Sequence, residues 1–138
     1  VSYFGLGEVE AYPDRLRSAK YGLYNTTVED MFVHYVRPQE NGEHVGTRYA
    51  SVRNDATGTR ISFKPLIIKD FAFKASHFTD RMIADTAHDF ELAPLKETII
   101  NLDCRVNSIG LDPLIAKKEA ARLFDEKHMK FGFRINIE

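Results

Sequence analysis

The stretch Met129–Ile137 reads MKFGFRINI and alternates apolar residues with polar or small ones. Successive side chains of a β-strand point to opposite faces of a sheet, so sustained alternation predicts a strand with one buried face. The polar positions, such as Arg134 and Asn136, then lie on the opposite face. This segment therefore predicts a sheet that covers a core on one side.

The same alternation recurs in shorter form in four other segments, which we predict to be strands: 46–53, 60–65, 71–75 and 96–103. The ten Phe and six Tyr residues of the chain stand mostly in such positions, where a pleated, half-buried surface accommodates them. Turns are predicted at 40–42, 55–58 and 108–110, because Gly and Asn permit positive φ angles there. Many short strands joined by turns predict an all-β, mainly antiparallel fold of the sandwich or barrel type.

Two segments depart from the strand pattern. Residues 79–86 begin with Thr79, an N-cap candidate, and continue with Asp80 and apolar residues, so they predict one short helix. Residues 112–124 combine high helix propensity with Asp112 as a cap and Pro113 at the first helical position. Propensity alone therefore predicts a second helix in this region.

Length and composition indicate one globular domain over residues 1–138, because two independent cores would each be near the lower size limit for folding. The formal net charge of −1 disfavours nucleic acid as a partner. We find neither an apolar run of about 20 residues nor the pattern of a signal peptide. The sequence therefore predicts a soluble, cytoplasmic protein with no membrane partner.

Metal and thiol chemistry receive little support from the residue pattern. The five histidines lack the spacing of a helical zinc site, so we predict no metal and no cofactor in this chain. The single cysteine, Cys104, ends an apolar run beside Asp103, which favours a small buried residue over a nucleophile.

The most unusual polar stretch is Tyr35–His44, which concentrates Arg, Gln, Glu and Asn side chains. Their planar groups can form paired hydrogen bonds to sugar hydroxyls. The same groups can also satisfy the backbone of their own loop. The pattern favours internal hydrogen bonding over ligand contact and leaves both open.

Ordered motifs along the chain resemble those of a known enzyme family. They are Gly5-Leu6-Gly7-Glu8, Tyr12-Pro13-Asp14-Arg15, Thr27-Val28-Glu29-Asp30-Met31, Arg37-Pro38-Gln39-Glu40-Asn41-Gly42, Thr47-Arg48, Phe71-Ala72-Phe73, Phe78-Thr79, Ala87-His88, Glu91-Leu92, Asn101-Leu102-Asp103 and Phe131-Gly132-Phe133. In this order they resemble the C-terminal part of the β-galactosidases of glycoside hydrolase family 2. The resemblance covers nearly the whole chain and corresponds to the second half of the family's last domain, which two-chain relatives carry on a separate small chain.

This resemblance implies a partial β-sandwich of the galactose-mutarotase-like (supersandwich) kind. It also implies a strand over 121–124, a turn over 125–128 and a hairpin partner from Met129 onward, against the helix propensity of this region. A partial sandwich exposes strand edges and apolar faces. We therefore expect the remaining domains or a large chain of a β-galactosidase as partner, and a homo-oligomer.

The resemblance further implies that the chemistry takes place outside this chain. The family hydrolyses terminal β-D-galactosides such as lactose with two glutamates on a barrel domain, so we assign no catalytic residue here and expect the chain alone to be inactive. We interpret five glutamates as solvated or turn-fixing carboxylates: Glu8, Glu10, Glu40, Glu43 and Glu91. The family's active-site loop carries a tryptophan, but this chain has none and reads Asn107–Ile115 there, so that sugar contact is not carried over.

Two other interpretations fit the same polar residues. A free-standing carbohydrate-binding or mutarotase-like module would bind a galactoside on a concave sheet face with five side chains: Arg37, Gln39, Glu40, Asn41 and His88. In the alternative, these residues are structural, and Arg37 and Glu40 fix the turn. The five are our candidate substrate-binding residues.

Overall fold

Within the part of the chain that the computed structural model describes, residues 1–106 and 130–138, the fold has two sheets and one short α-helix. The strands are β1 Ser2–Leu6, β2 Tyr21–Asn25, β3 His44–Thr47, β4 Tyr49–Arg53, β5 Arg60–Pro65, β6 Phe71–Ser76, β7 Ile99–Asp103 and β8 Phe133–Ile137. The helix α1 spans Asp80–Asp85, and 3₁₀ turns lie at Pro13–Arg15 and Asp89–Glu91. The predicted all-β, mainly antiparallel architecture is confirmed at this level.

The five-stranded sheet has the order β2-β1-β4-β5-β8, and the three-stranded sheet has the order β3-β6-β7. All pairings between these strands are antiparallel. A tight turn joins β4 to β5, where the Asn54 amide donates to the Thr59 carbonyl at 2.8 Å. Gly58 in this turn has a φ of 75°. The turn predicted at 55–58 is therefore confirmed.

The core lies between the two sheets. Tyr3, Ala50 and Phe63 are in register across β1, β4 and β5, and all three are at most 4% exposed. Phe71 and Phe73 of β6 belong to the same cluster, and burial of each large apolar side chain contributes about 1.5–3 kcal/mol. All six residues of β6 are buried, so this strand has no solvent-exposed face. As a result, Lys74, the one charged residue of β6, lies inside the protein.

The helix α1 begins as the sequence predicts. The Thr79 hydroxyl accepts a hydrogen bond from the Met82 amide at 3.2 Å, which caps the helix. Ile83 packs with Phe32 and Phe78 in a second apolar cluster. This packing holds α1 beside the chain that leads into the polar stretch.

The segment 46–53, predicted as one strand, forms parts of two strands in different sheets. Gly46 has a φ of 70°, and the Thr47 hydroxyl donates to the His44 carbonyl at 2.8 Å, so the chain turns between β3 and β4. The strands β1 and β2 were not predicted, because Gly5 and Gly22 interrupt their alternation. These two glycines pair in register, and a Cβ on Gly5 would lie 2.9 Å from the Thr47 hydroxyl oxygen.

Two predicted strands are shorter than expected, since β8 begins at Phe133 and β7 begins at Ile99. The buried face predicted for β8 was wrong, because β8 lies at the edge of its sheet and Ile135 and Ile137 are 56% and 72% exposed. The predictions for 107–115, 108–110, 112–124, 121–124 and 125–128 lie outside the described residues. No helix in residues 1–106 or 130–138 combines the length and apolar character that membrane crossing requires.

Candidate functional site

Four of the five candidate residues lie on one segment, residues 33–43, which we call the strap. Asn41 is only 1% exposed, and both polar atoms of its side-chain amide form hydrogen bonds within the strap. Its Oδ1 accepts from the Val33 amide at 3.1 Å, and its Nδ2 donates to the Gln39 carbonyl at 2.8 Å. Asn41 therefore closes the strap on itself, which is the internal hydrogen bonding that the sequence favoured.

Gly42 follows Asn41 and has the positive φ angle that the sequence predicted for the reversal at 40–42. It has a φ of 74°, which side-chain-bearing residues rarely adopt. A Cβ at this position would lie 2.6 Å from the Met31 carbonyl oxygen, so no larger residue fits without movement. The turn brings the Gly42 amide to the Glu10 carboxylate, at 2.9 Å.

Glu10, which was predicted to be a solvated or turn-fixing carboxylate, is buried and anchors the strap. It is 6% exposed and accepts hydrogen bonds from the Arg15 guanidinium at 3.1 Å, the Tyr35 hydroxyl and the Gly42 amide. The bond to Glu10 raises the pKa of Tyr35. Glu10 thus joins the chain before the Pro13–Arg15 turn to both ends of the strap, and this turn-fixing role is confirmed.

Lys74 is the charged residue that β6 carries into the interior, and sequence reasoning missed it. It is 4% exposed, and its Nζ donates to Glu40 Oε1 and to Asp80 Oδ1, each at 2.9 Å. Burial lowers the pKa of Lys74, but the bonds to Glu40 and Asp80 outweigh burial and the pKa lies above its ordinary value. The ammonium group therefore stays charged and connects the strap to the first turn of α1.

Glu43, at the end of the strap, differs from the predicted solvated or turn-fixing carboxylate. It is 2% exposed, and its Oε1 has no hydrogen-bond partner among the described residues. Burial raises the pKa of Glu43 to about 8, although the Lys74 charge acts in the opposite direction. The carboxyl group is therefore protonated at neutral pH. The prediction was wrong because the burial depends on β6 and β7, which are remote in sequence.

His44 lies next to Glu43 and is also buried, at 2% exposure. Its ring centroid lies 4.5 Å from that of Tyr3, and burial lowers the pKa of His44 to about 4. The imidazole is therefore neutral at physiological pH. No group of three or more potential metal ligands occurs among residues 1–106 and 130–138.

The other candidate side chains are exposed. Arg37 and Gln39 lie on the surface of the strap, and Arg37 makes no hydrogen bond or ion pair with the described residues. The interpretation in which Arg37 and Glu40 fix the turn therefore has support only at Glu40. The Asp89 amide donates to the Val36 carbonyl at 3.3 Å, which brings the segment of His88 against the strap.

An exposed aromatic ring lies beside His88 and was not predicted from the sequence. Phe90 is 84% exposed, and its ring is nearly parallel to that of His88, with an interplanar angle of 5° and centroids 5.4 Å apart. His34 lies in the same region and contacts the Asp89 carboxylate at 2.8 Å. The adjacency of polar and aromatic residues in Ala87–Leu92 was visible, but the exposure of Phe90 depends on the fold.

The strap therefore divides into two parts with different environments. At its base, residues 40–43, carboxylate and amide groups are paired or buried. At its tip, residues 36–39, the side chains of Val36, Arg37 and Gln39 face solvent, and Pro38 is buried. A groove of about 770 Å³ lies elsewhere, between the β4–β5 turn and His77, and none of the five candidate residues lines it.

Comparison with known proteins shows which family this chain matches. Residues 1–135 match the family described as β-galactosidase small chain. The chain is 32% identical to a β-galactosidase of Actinobacillus pleuropneumoniae over 110 residues, which is 80% of this chain and 10% of the relative. It is 36% identical to a β-galactosidase of Streptococcus thermophilus over 112 residues, which is 81% of this chain and 11% of the relative.

A β-galactosidase of Vibrio vulnificus matches over 140 residues at 28% identity, which is 99% of this chain and 12% of the relative. The chain thus spans about a tenth of the length of these curated relatives. The match to the family extends over nearly all of the chain, from β1 into β8. The chain belongs to the β-galactosidase small chain family.

Proposed function

We propose that this chain is the scaffold portion of a β-galactosidase that hydrolyses terminal β-D-galactosides such as lactose, and that the catalytic glutamates lie on polypeptide outside it. The observation that carries the proposal is that the carboxylates around the strap are already engaged. Glu10 accepts three hydrogen bonds, Glu40 is bonded to Lys74, and Glu43 is buried.

Retaining glycoside hydrolysis requires two carboxyl groups about 5 Å apart that both reach the scissile bond. A nucleophilic carboxylate must be ionised and accessible to the sugar. Glu43 meets neither condition, and Glu10 is closed off by its donors. This geometry supports a structural role for the carboxylates around the strap.

The partner we propose is the rest of the β-galactosidase, as preceding domains or as a large chain, with a larger galactose-mutarotase-like sandwich as the complete fold. Leu23, Phe4 and Tyr49 pair in one row across β2, β1 and β4. Leu23 is 66% exposed and Phe4 is 37% exposed, so this outer face is apolar and open. About nine tenths of the length of the relatives lies outside this chain and is available to cover it.

Complementation tests this proposal. We expect the chain alone to leave a chromogenic β-galactoside intact, and we expect activity when the complementary large fragment is added. Leu23→Lys should weaken the complementation at least tenfold, because it places a charge in the apolar row. Ala56→Lys, in the exposed β4–β5 turn, is the matched control. Equal complementation by both variants would refute the proposed interface, and sedimentation of the chain alone would detect self-association as the competing use of this face.

A second candidate function, carbohydrate binding by the chain itself, is favoured by one observation. The exposed Phe90 ring stacks on His88, and the Asp89–Val36 backbone bond holds both beside the polar tip of the strap. Aromatic rings flanked by polar groups bind the apolar faces of sugars. Calorimetric titration with lactose would support this function if binding saturates and Phe90→Ala abolishes it. Absence of saturable binding would refute it.

A further inference from the structure

We propose that Glu43 holds a proton while the strap is docked and releases it when the strap lifts from the sheets. Strap release is then coupled to proton release and becomes easier as pH rises through neutrality. The strap carries Arg37 and Gln39, so the coupling would control the surface that they form. The inference goes beyond the proposed scaffold function and does not depend on it.

The Glu43 carboxyl group is surrounded by other titratable side chains. Five titratable groups face it: Lys74 from β6, Asp103 from β7, Asp80 from α1, Glu40 from the strap and Tyr12 from the chain before the Pro13–Arg15 turn. Only Lys74 is cationic, and its ammonium group already bonds to Glu40 and Asp80. A charged Glu43 would therefore add a further negative charge to a region with one cation.

One oxygen of the Glu43 carboxyl group lacks a hydrogen-bond donor among the described residues. Glu43 is 2% exposed, and its Oε1 has no hydrogen bond within the described part of the chain. A buried carboxylate oxygen without a donor is strongly unfavourable, so this geometry favours the neutral acid. The raised pKa values of Glu43 and Asp103, each caused first by burial, agree with this charge state.

Backbone hydrogen bonds link the position of the Glu43 carboxyl group to that of the strap. The Glu43 carbonyl accepts from the Ala11 amide at 2.7 Å, and the Gly42 amide donates to Glu10 at 2.9 Å. The backbone around Glu43 is therefore fixed, and the side chain is buried while the strap is docked. The docked strap therefore favours the protonated form of Glu43, and lifting the base of the strap exposes the carboxyl group to solvent and favours its ionisation.

The sign of the pH dependence follows from these two states. In the docked strap the pKa of Glu43 is raised to about 8, whereas in the lifted strap it returns to its ordinary value near 4.5. Between these values the docked state keeps the proton and the lifted state loses it. The opening equilibrium constant should then increase about tenfold per pH unit and level off above pH 8.

Hydrogen exchange of the full chain tests the coupling. The Ala11 amide bonds to the Glu43 carbonyl and the Gly42 amide bonds to the Glu10 carboxylate, so these two amides report on strap docking. After correction for intrinsic exchange, their protection should fall about tenfold per unit from pH 5.5 to 7.5. Glu43→Gln, which is always neutral, should abolish this slope, and Glu97→Gln, at an exposed glutamate, should retain it.

A second measurement keeps the test independent of any repacking in the glutamine variant. The carboxyl carbon shift of Glu43, followed by NMR in the unmodified chain, should titrate near pH 8. Titration near pH 4.5 would overturn the proposal. A slope that survives in Glu43→Gln would also overturn it, and so would an equal slope for core amides of β6, which would indicate global unfolding.

Discussion

The base and the tip of the strap both carry planar polar side chains, but the environments of these side chains differ. At the base, Glu40 and Asn41 are bonded to the protein, and Glu43 is buried. At the tip, Arg37 and Gln39 are exposed beside the strongly exposed Phe90. The difference shows that planar polar side chains in one loop can fix the fold at one end and leave a surface free for contacts at the other.

Removing the anchor of the base should have the largest effect. Glu10→Ala leaves the Gly42 amide, the Tyr35 hydroxyl and the Arg15 guanidinium without their acceptor. We expect the free energy of unfolding to fall by about 3 kcal/mol, because buried donors without partners cost about 1–3 kcal/mol each. Urea denaturation measures the change. The control Glu8→Ala, at an exposed glutamate, should change it by less than about 0.5 kcal/mol.

Much of this architecture could be predicted from the sequence where local pattern and environment agree. The strand β5, the 55–58 turn and the cap at Thr79 follow from alternation, glycine placement and capping chemistry. The interior position of Lys74 could not be predicted, because alternation along 71–75 does not reveal that both faces of β6 are covered. The burial of Glu43 has the same cause, since its neighbours come from β6, β7 and α1.

The predicted site residues illustrate the same limit. The polar pattern of the sequence selected Glu40 and Asn41 together with Arg37, yet only the fold separates internal groups from exposed ones. Asn41 bonds within the strap, and Arg37 does not bond to the described residues. Side-chain type identified the polar segment, and the assignment of base and tip required the tertiary structure.

Removing the cation at the base should have the next largest effect. Lys74→Met deletes the ammonium group that pairs with Glu40 and Asp80. Removal of one partner from a buried ion pair costs about 3–5 kcal/mol, and we expect about 2 kcal/mol here because both carboxylates are partly exposed and can be hydrated. Lys96→Met, at an exposed lysine, is the control. A loss equal to that of the control would show that the buried ammonium does not hold the base in place.

The pH dependence of stability sharpens the contrast between buried and exposed titratable groups. Above its ordinary pKa the unfolded Glu43 is ionised while the folded one keeps its proton up to about pH 8, so stability falls with rising pH. His44 acts in the opposite direction, because its folded pKa of about 4 makes stability fall as pH drops below 6.5.

The two effects offset each other between about pH 4.5 and 6.5, and of these two only that of Glu43 operates from 6.5 to 8. The Val1 amine, whose pKa is lowered by burial from its ordinary value of 8.0, acts against it near the top of this range. We expect a loss of about 2 kcal/mol across this upper range. Thermal or urea unfolding at several pH values measures it. Glu43→Gln should remove the loss above pH 6.5 and preserve the decline at low pH. Retention of the upper slope in this variant would contradict the assignment to Glu43.

Substitutions at the tip should have the smallest effect on stability. Val36 is 89% exposed and Phe90 is 84% exposed, so Val36→Ser and Phe90→Ser should each change the free energy of unfolding by less than about 0.5 kcal/mol. Urea denaturation is again the measurement. A loss above about 1 kcal/mol for either variant would mean that the tip contributes to the fold as the base does.

The most direct test of the central claim is the rate at which the purified chain alone hydrolyses a chromogenic β-galactoside. If the chain supplies only scaffold, this rate equals that of buffer, and Glu10→Gln, Glu40→Gln and Glu43→Gln leave it unchanged. Turnover by the isolated chain that any of these three substitutions abolishes would place the hydrolytic groups within it and contradict the account.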